Sequence, residues 1–255
     1  MLDRIVADVR AKLPALQARA DEVRAAALNM APARDFEAAL AADGLAVISE
    51  IKRASPSRGV LNPDLMPAAQ AVRYEEGGAA AISVLTEPKY FRGSEADLRA
   101  VKAAIDLPVL RKDFTLDGIQ IWEARAMGAD AILLIVAILT PDELRNFLDI
   151  AGQAGLAALV EAHTEAEAIT AIEAGARIVG VNNRDLTTFD VSLATAEMIA
   201  PMLNGVAIRV AESGIFTSDD ATRMRVAGYD AVLVGESLVR SGDPARAIRE
   251  LRGVT

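Results

Sequence analysis

Lysine and glutamate recur at the ends of hydrophobic runs, where an unused charge is expensive. Glu50-Ile-Lys52 closes the run Leu45–Lys52, Arg111-Lys112-Asp113 closes Pro108–Lys112, and Glu161-Ala-His163 closes Leu156–Glu161. In an extended strand, residues two apart face the same side, so Glu50 and Lys52 project together when Ile51 faces away. A charged pair there is costly unless something neutralises or uses it. A structural ion pair is the other reading of Glu50 and Lys52. Polar residues at the ends of nearly all the other runs argue for use. An ammonium at a strand end suits general acid catalysis and stabilisation of developing negative charge. It also suits imine formation by a lysine of lowered pKa. Glu161 is the candidate base facing these lysines. Spacing leaves both chemistries open. His163 reads as a loop residue rather than a catalyst, and Trp122 as packing.

An anion site is legible separately. Ser213-Gly214 follows the run Val206–Ala211, and Gly235-Glu236-Ser237 follows Ala231–Val234. Glycine lets backbone N–H groups approach an anion closely, and a (β/α)8 barrel often binds phosphate after its last two strands. Either glycine alone would mark a plain turn. Their paired placement beside Ser213 and Ser237 carries the phosphate reading, with Lys52 and Arg184 adding positive charge. Glu236 fits such a loop only with its N–H toward the anion and its carboxylate turned away.

A repeating unit positions these residues. Glycine precedes a β-branched or aliphatic run at Gly78, Gly128, Gly155, Gly175 and Gly228. Such a glycine ends a helix in a left-handed conformation and the run is the next strand. With weaker signals added, eight strands are expected: 45–52, 80–86, 108–112, 131–136, 156–161, 177–182, 206–211 and 231–234. Helical spacing lies between them, as at Leu144, Phe147, Leu148 and Ala151 after Thr140-Pro-Asp-Glu. Alternating strand and helix predicts a parallel sheet. Eight units predict a closed α/β barrel, with a doubly wound open sheet as the alternative. The whole chain, 1–255, reads as one barrel domain. Residues 1–42 read as a helical N-terminal extension capping it, the alternative being an oligomerisation arm. Leu2, Ile5, Val6 and Val9 make one helical stripe, with a break expected near Pro14 and a second helix over Ala15–Leu28.

Composition narrows the functional classes. The chain has 255 residues, 52% hydrophobic and only 4% aromatic, so an aliphatic core must carry the fold. A net charge of −9 argues against nucleic-acid and anionic-membrane partners. The absence of cysteine excludes disulfides, thiolate catalysis and zinc–thiolate sites, and one histidine excludes a His-rich metal site. The charged start MLDRIVADVR lacks a signal core, and Ala131–Leu139 is too short to span a bilayer. A cytoplasmic protein acting on a small phosphorylated molecule is expected.

Several motifs together resemble the indole-3-glycerol-phosphate synthase family of tryptophan biosynthesis. They are Val47-Ile-Ser-Glu50-Ile-Lys52-Arg-Ala-Ser55-Pro-Ser57-Arg-Gly59, Leu85-Thr-Glu-Pro-Lys-Tyr-Phe91-Arg-Gly-Ser94, Pro108-Val-Leu-Arg-Lys112-Asp-Phe114 and Ile132-Leu133-Leu134-Ile135. Leu159-Val-Glu161-Ala-His163, Gly180-Val-Asn182-Asn-Arg184-Asp-Leu-Thr-Thr-Phe189, Ala211-Glu-Ser-Gly-Ile215 and Val234-Gly-Glu-Ser-Leu238 continue the likeness. It spans essentially the whole chain, and the first, third and sixth motifs are highly specific in combination. The resemblance implies a carboxy-lyase that cyclises, decarboxylates and dehydrates an N-aryl aminodeoxyribulose phosphate to indole-3-glycerol phosphate. It implies Lys112 as the acid for ring closure, Glu161 as the base in dehydration and Lys52 as the second lysine, acting on the leaving hydroxyl and near the phosphate. Glu50 would orient these charges, and Asn182 would hydrogen-bond the reacting region, with Ser213 grouped among the catalytic residues. Ser55, Arg184 and Glu212 match substrate contacts, and Phe91, Phe114, Leu133 and Leu186 an apolar wall around the aryl ring. Gly214, Gly235, Glu236 and Ser237 match phosphate contacts. No cofactor or metal is implied, and a functional link to other tryptophan-pathway enzymes follows. The alternatives are a sugar-phosphate isomerase or Schiff-base aldolase on the same fold, or a barrel that binds a phosphorylated metabolite without turnover.

Overall fold

In the computed structural model, which describes residues 1–185 and 188–254, eight parallel strands close on themselves. They are β1 (Ala46–Ile51), β2 (Ala81–Leu85), β3 (Val109–Lys112), β4 (Ala131–Ile135), β5 (Ala157–Ala162), β6 (Ile178–Asn182), β7 (Ile208–Glu212) and β8 (Ala231–Val234). Closure is made by β8 on β1, with Ala46 opposite Ala231 and Ser49 opposite Val234. The closed barrel, rather than the open sheet, is the fold. Helices after each strand cover the outside, several with strong start signals. Thr140 and Glu143 form a reciprocal cap ahead of Pro141–Ala154, and Gly155 ends that helix at φ +70°.

Strand alternation sorts the two faces. Ile51, Ile82, Val84 and Val109 point outward into the layer shared with the helices. Ile48, Leu110, Leu159, Ile178 and Val210 fill the barrel interior. One inward step toward the strand ends, the side chains become Glu50, Lys112, Glu161 and Glu212. The opposite end is apolar. A five-residue helix, Phe36–Leu40, sends Phe36 and Leu40 into the inner cluster beside Ala46, Ala81 and Ala131, at the starts of their strands. A buried carboxylate on the outside of that end, Asp130, is fully occupied by Lys102 and by the N–H groups of Arg34 and Val109. Polar groups that remain for chemistry therefore gather at the C-terminal mouth.

Two expectations need correction. The first helix, α1, runs Leu2–Gln17 straight through Pro14, and α2 follows at Ala20–Leu28. Proline removes one helical hydrogen bond and crowds the carbonyl four residues back, but here the helix continues for one more turn beyond it. The chain leaves the helix only at Ala18, whose N–H still bonds Pro14. The seventh strand ends at Glu212 rather than Ala211, so Glu212 obeys strand alternation and faces inward. Among the described residues no helix is long and apolar enough to cross a membrane.

The helix α1 lies over the mouth. Ile5 and Val9 are buried with Leu116 against Tyr90, Phe91 and Phe114. Asp8 accepts hydrogen bonds from Lys89 Nζ at 2.7 Å and Tyr90 Oη at 2.6 Å, tying α1 to the loop after β2.

Candidate active site

The centre of the mouth is Lys112. Its Nζ lies 3.1 Å from Oε2 of Glu161 and 3.0 Å from Oε2 of Glu212. Both carboxylates are buried. Burial opposes charge on Lys112, but Glu161, Glu212 and Glu50 outweigh it and raise its pKa. Burial also opposes charge on Glu161, yet Lys112 and His163 hold that carboxyl below the usual range. Glu212 goes the other way. Desolvation dominates and pushes it up to about 7, against the pull of Lys112. Among the described residues its Oε1 has no hydrogen-bond partner.

Two glycines make room for this charge inside the barrel. A Cβ on Gly180 would collide with Oε1 of Glu212, and one on Gly235 with the carboxylate of Glu50. Both glycines face inward, so the space their missing side chains leave is filled by neighbouring carboxylates. Lys52 Nζ sits 2.5 Å from Oε1 of Glu50, as the two-residue spacing anticipates. Asn182 accepts the backbone N–H of Arg184 at 3.1 Å. Its neighbour Asn183 is buried and donates to the Ser213 carbonyl at 3.1 Å, while its Oδ1 accepts from Ala196 N at 3.0 Å. That clamp sits beside two left-handed residues in a row, Ser213 at φ 64° and Gly214 at φ 80°. For a non-glycine such as Ser213 this backbone is disfavoured and must be held.

Around this centre the cleft divides in two. One side is apolar: Phe91 and Phe114 stack tilted with ring centroids 6.2 Å apart, and Leu133 and the α1 residues Leu2 and Ile5 complete the wall. The other side is polar, lined by Ser55, Arg184, Ser213, Gly214, Gly235 and Ser237, the residues expected to hold an anion. Ser237 Oγ donates to the Ile215 carbonyl at 3.4 Å and links the two glycine loops. The Glu236 carboxylate lies 3.3 Å from Arg58 and 3.4 Å from Arg240. Its charge is thus offset by two arginines while the residue still lines the cleft. Lys52, Glu50, Lys112, Glu161, Asn182 and Glu212 line the same cleft between the two sides. Leu186, expected in the apolar wall, lies outside the described residues.

Some groups were not anticipated from sequence. His163 lies in the loop after β5, as read, but it is half-buried and turns its ring back onto the site, with Nε2 3.2 Å from Oε1 of Glu161 and Nδ1 3.0 Å from Glu167. The signal for it was the helix start Thr164-Glu-Ala-Glu167, whose third helical residue reaches back past the cap to His163. Arg58 and the α1 residues of the wall were also missed. Trp122 is partly buried against the outer core, as expected.

A buried lysine held by carboxylates at the C-terminal mouth, between an apolar wall and two glycine–serine loops, has the make-up and the place of a (β/α)8-barrel enzyme's active site. Comparison with known proteins narrows that class. The family model for indole-3-glycerol phosphate synthase matches residues 2–251. An indole-3-glycerol phosphate synthase of Rhodococcus opacus is 51% identical over 98% of this chain and 94% of the relative. Indole-3-glycerol phosphate synthase 1 of Streptomyces coelicolor is 49% identical with the same coverage. Among solved structures, thiamine phosphate pyrophosphorylase from Pyrococcus furiosus superposes with a TM-score of 0.63 at 19% identity, covering 86% of this chain and 96% of the other. That likeness speaks for the barrel fold alone. The chain belongs to the indole-3-glycerol phosphate synthase family, carboxy-lyases of tryptophan biosynthesis.

Proposed function

We propose that this cleft converts 1-(2-carboxyphenylamino)-1-deoxyribulose 5-phosphate to indole-3-glycerol phosphate, with Lys112 as the acid that drives ring closure. The aryl carbon bearing the carboxylate attacks the ketone carbon, and the carbonyl oxygen takes a proton from the Lys112 ammonium. The bond to the carboxylate then breaks, CO2 leaves, and its electron pair restores the aromatic ring. The new hydroxyl leaves as water with a proton from Lys52, while Glu161 takes a proton from the carbon next to the ring nitrogen. Glu161 is 3.1 Å from Lys112, so the proton it collects can reload that amine. The overall reaction consumes one proton, supplied from solvent.

The observation that carries this reading is the double carboxylate hold on Lys112. An amine kept charged donates a proton or hydrogen bond to a developing alkoxide. Imine formation needs a neutral amine, which these carboxylates oppose. Glu50 orients Lys52, Asn182 hydrogen-bonds the reacting region with Ser213 beside it, and Glu212 shares Lys112. Phe91, Phe114 and Leu133 pack the aryl ring, and the dry wall favours loss of neutral CO2. Ser55, Lys52, Arg184, Ser237 and the N–H groups of Gly214, Gly235 and Glu236 hold the phosphate and its chain. Residues 1–42 belong to the same barrel unit, since α1 supplies part of the wall. A functional link to other enzymes of the tryptophan pathway, in the cytoplasm, completes the proposal.

Incubation with the carboxyphenylamino sugar phosphate is expected to yield indole fluorescence. Lys112→Ala is expected to lower turnover by at least about 10²-fold, the usual scale of acid–base catalysis. Turnover at the parent rate in that variant would remove Lys112 from its role.

A further inference from the structure

We infer that His163 is a positioning residue: gripped by Glu167, its imidazolium holds the Glu161 carboxylate charged and in place opposite Lys112. This rests on the proposed role of Glu161 as base. It goes further by assigning function to a residue and a helix start outside the proposed machinery.

The proton inventory of the ring is fixed by its neighbours. Oε2 of Glu167 accepts the His163 backbone N–H at 2.8 Å and lies 3.0 Å from Nδ1. A carboxylate only accepts, so Nδ1 carries a proton. The other nitrogen, Nε2, is buried without a hydrogen bond and stands 3.2 Å from Oε1 of Glu161, an ion-pair distance with poor hydrogen-bond alignment. A neutral ring protonated at Nδ1 would aim a lone pair at that oxygen. A doubly protonated ring presents a cation instead. Burial pulls His163 down, but Glu161 and Glu167 together raise it to about 10.

The two oxygens of Glu161 therefore meet different cations. Oε2 faces Lys112 from β3 and Oε1 faces His163 from the end of its own strand. Glu212 presses on the same group from β7, and Glu50 from β1 adds its field at Lys112. Lys112 alone must serve Glu161 and Glu212, so a second cation keeps Glu161 ionised when Glu212 is charged. Glu167 is the third residue of the helix Glu165–Glu173, whose cap Thr164 accepts the Glu167 N–H at 3.2 Å. A helix start thus fixes the ring, and the ring fixes the base.

The chain has one histidine, so a single imidazole signal reports this group by NMR in the intact chain of 255 residues. His163 is expected to stay protonated above about pH 8, against an ordinary midpoint near 6.5. Glu167→Gln and Glu161→Gln are each expected to lower its midpoint by about 1 unit or more, the scale for losing a close opposite charge. In turnover assays, His163→Gln is expected to reduce kcat by about 10-fold, the equivalent of one pKa unit of lost hold on Glu161, with KM little changed. His163→Lys, which keeps a cation, is expected to restore most of that loss. A His163 midpoint at the ordinary value, or one unmoved by Glu167→Gln, overturns the inference; so does an unchanged kcat in folded His163→Gln. Full turnover by Glu161→Gln would instead remove the base from the proposed reaction, and the NMR midpoints would still judge the clamp.

Discussion

Glu161 and Glu212 share one lysine yet are pushed in opposite directions. Glu161 has two cations and falls; Glu212 has half of one and rises to about 7, with desolvation the larger cause. The linkage for Glu212 has a definite sign. A carboxyl whose folded pKa lies above its unfolded value near 4.5 adds most stability below that value, and the contribution is lost as pH rises through about 7. Glu212→Gln removes this titration while keeping the shape of the group. Thermal melts at about pH 5.5 and about pH 8.5 are expected to differ less in that variant than in the parent chain. An unchanged difference would mean that Glu212 is charged throughout this range. Glu161 opposite the lysines was legible from its place at a strand end, but that Lys112 pairs directly with both Glu161 and Glu212 was not. These partners lie 49 and 100 residues away, and barrel closure alone brings them together. The Glu50–Lys52 pair was legible because strand alternation needs only local spacing.

At the scale of elements, the strands deliver charge and two of their glycines accommodate it. Gly180→Ala would drive a methyl into the Glu212 carboxylate and to 3.1 Å from Leu159 Cδ1. The expected cost is about 1–3 kcal/mol of stability, typical of overpacking, with a fall in kcat because Glu212 is displaced from Lys112. Gly152→Ala is the contrast. It lies inside the helix Pro141–Ala154, exposed, with nothing within 4 Å of an added Cβ. It is expected to raise stability by about 0.5–1 kcal/mol and to leave turnover alone. Denaturation and steady-state kinetics on the two variants separate a glycine kept for space from one that is not. Strand positions could be read in sequence because each was an apolar run, most of them after a helix-ending glycine; β3, which follows Ile105 with no such glycine, had only the weaker signal. Their limits moved by a residue or two where flanking apolar residues continued into the loop, and at β7 that shift decided which way Glu212 faces. The plug helix Phe36–Leu40 escaped notice because five residues are too few to show a helical period.

For the whole molecule the question is how a chain of net charge −9 takes up an anion. The cleft and its rim have little formal charge to spare: Lys52, Lys112, Arg58, Arg184 and the His163 imidazolium face Glu50, Asp113, Glu161, Glu212 and Glu236. In the proposed function, capture of phosphate then comes from short-range, directed N–H groups and from cations at the proposed anion end, within a few ångströms. At longer range the substrate meets the repulsive field of the molecule. Salt acts on these two ranges unequally. The screening length is about 30 Å at 0.01 M and about 10 Å at 0.1 M, so the first additions of salt remove repulsion across the whole molecule. Buried and partly buried contacts are screened much less, and weaken only at higher concentration. The dependence of kcat/KM on sodium chloride is therefore expected to rise between about 0.01 and 0.1 M and to fall beyond it. A steady fall from the lowest salt would mean that the cations of the anion end steer the substrate from afar. In that case Arg58→Ala would flatten the curve, because it removes the most exposed of those cations.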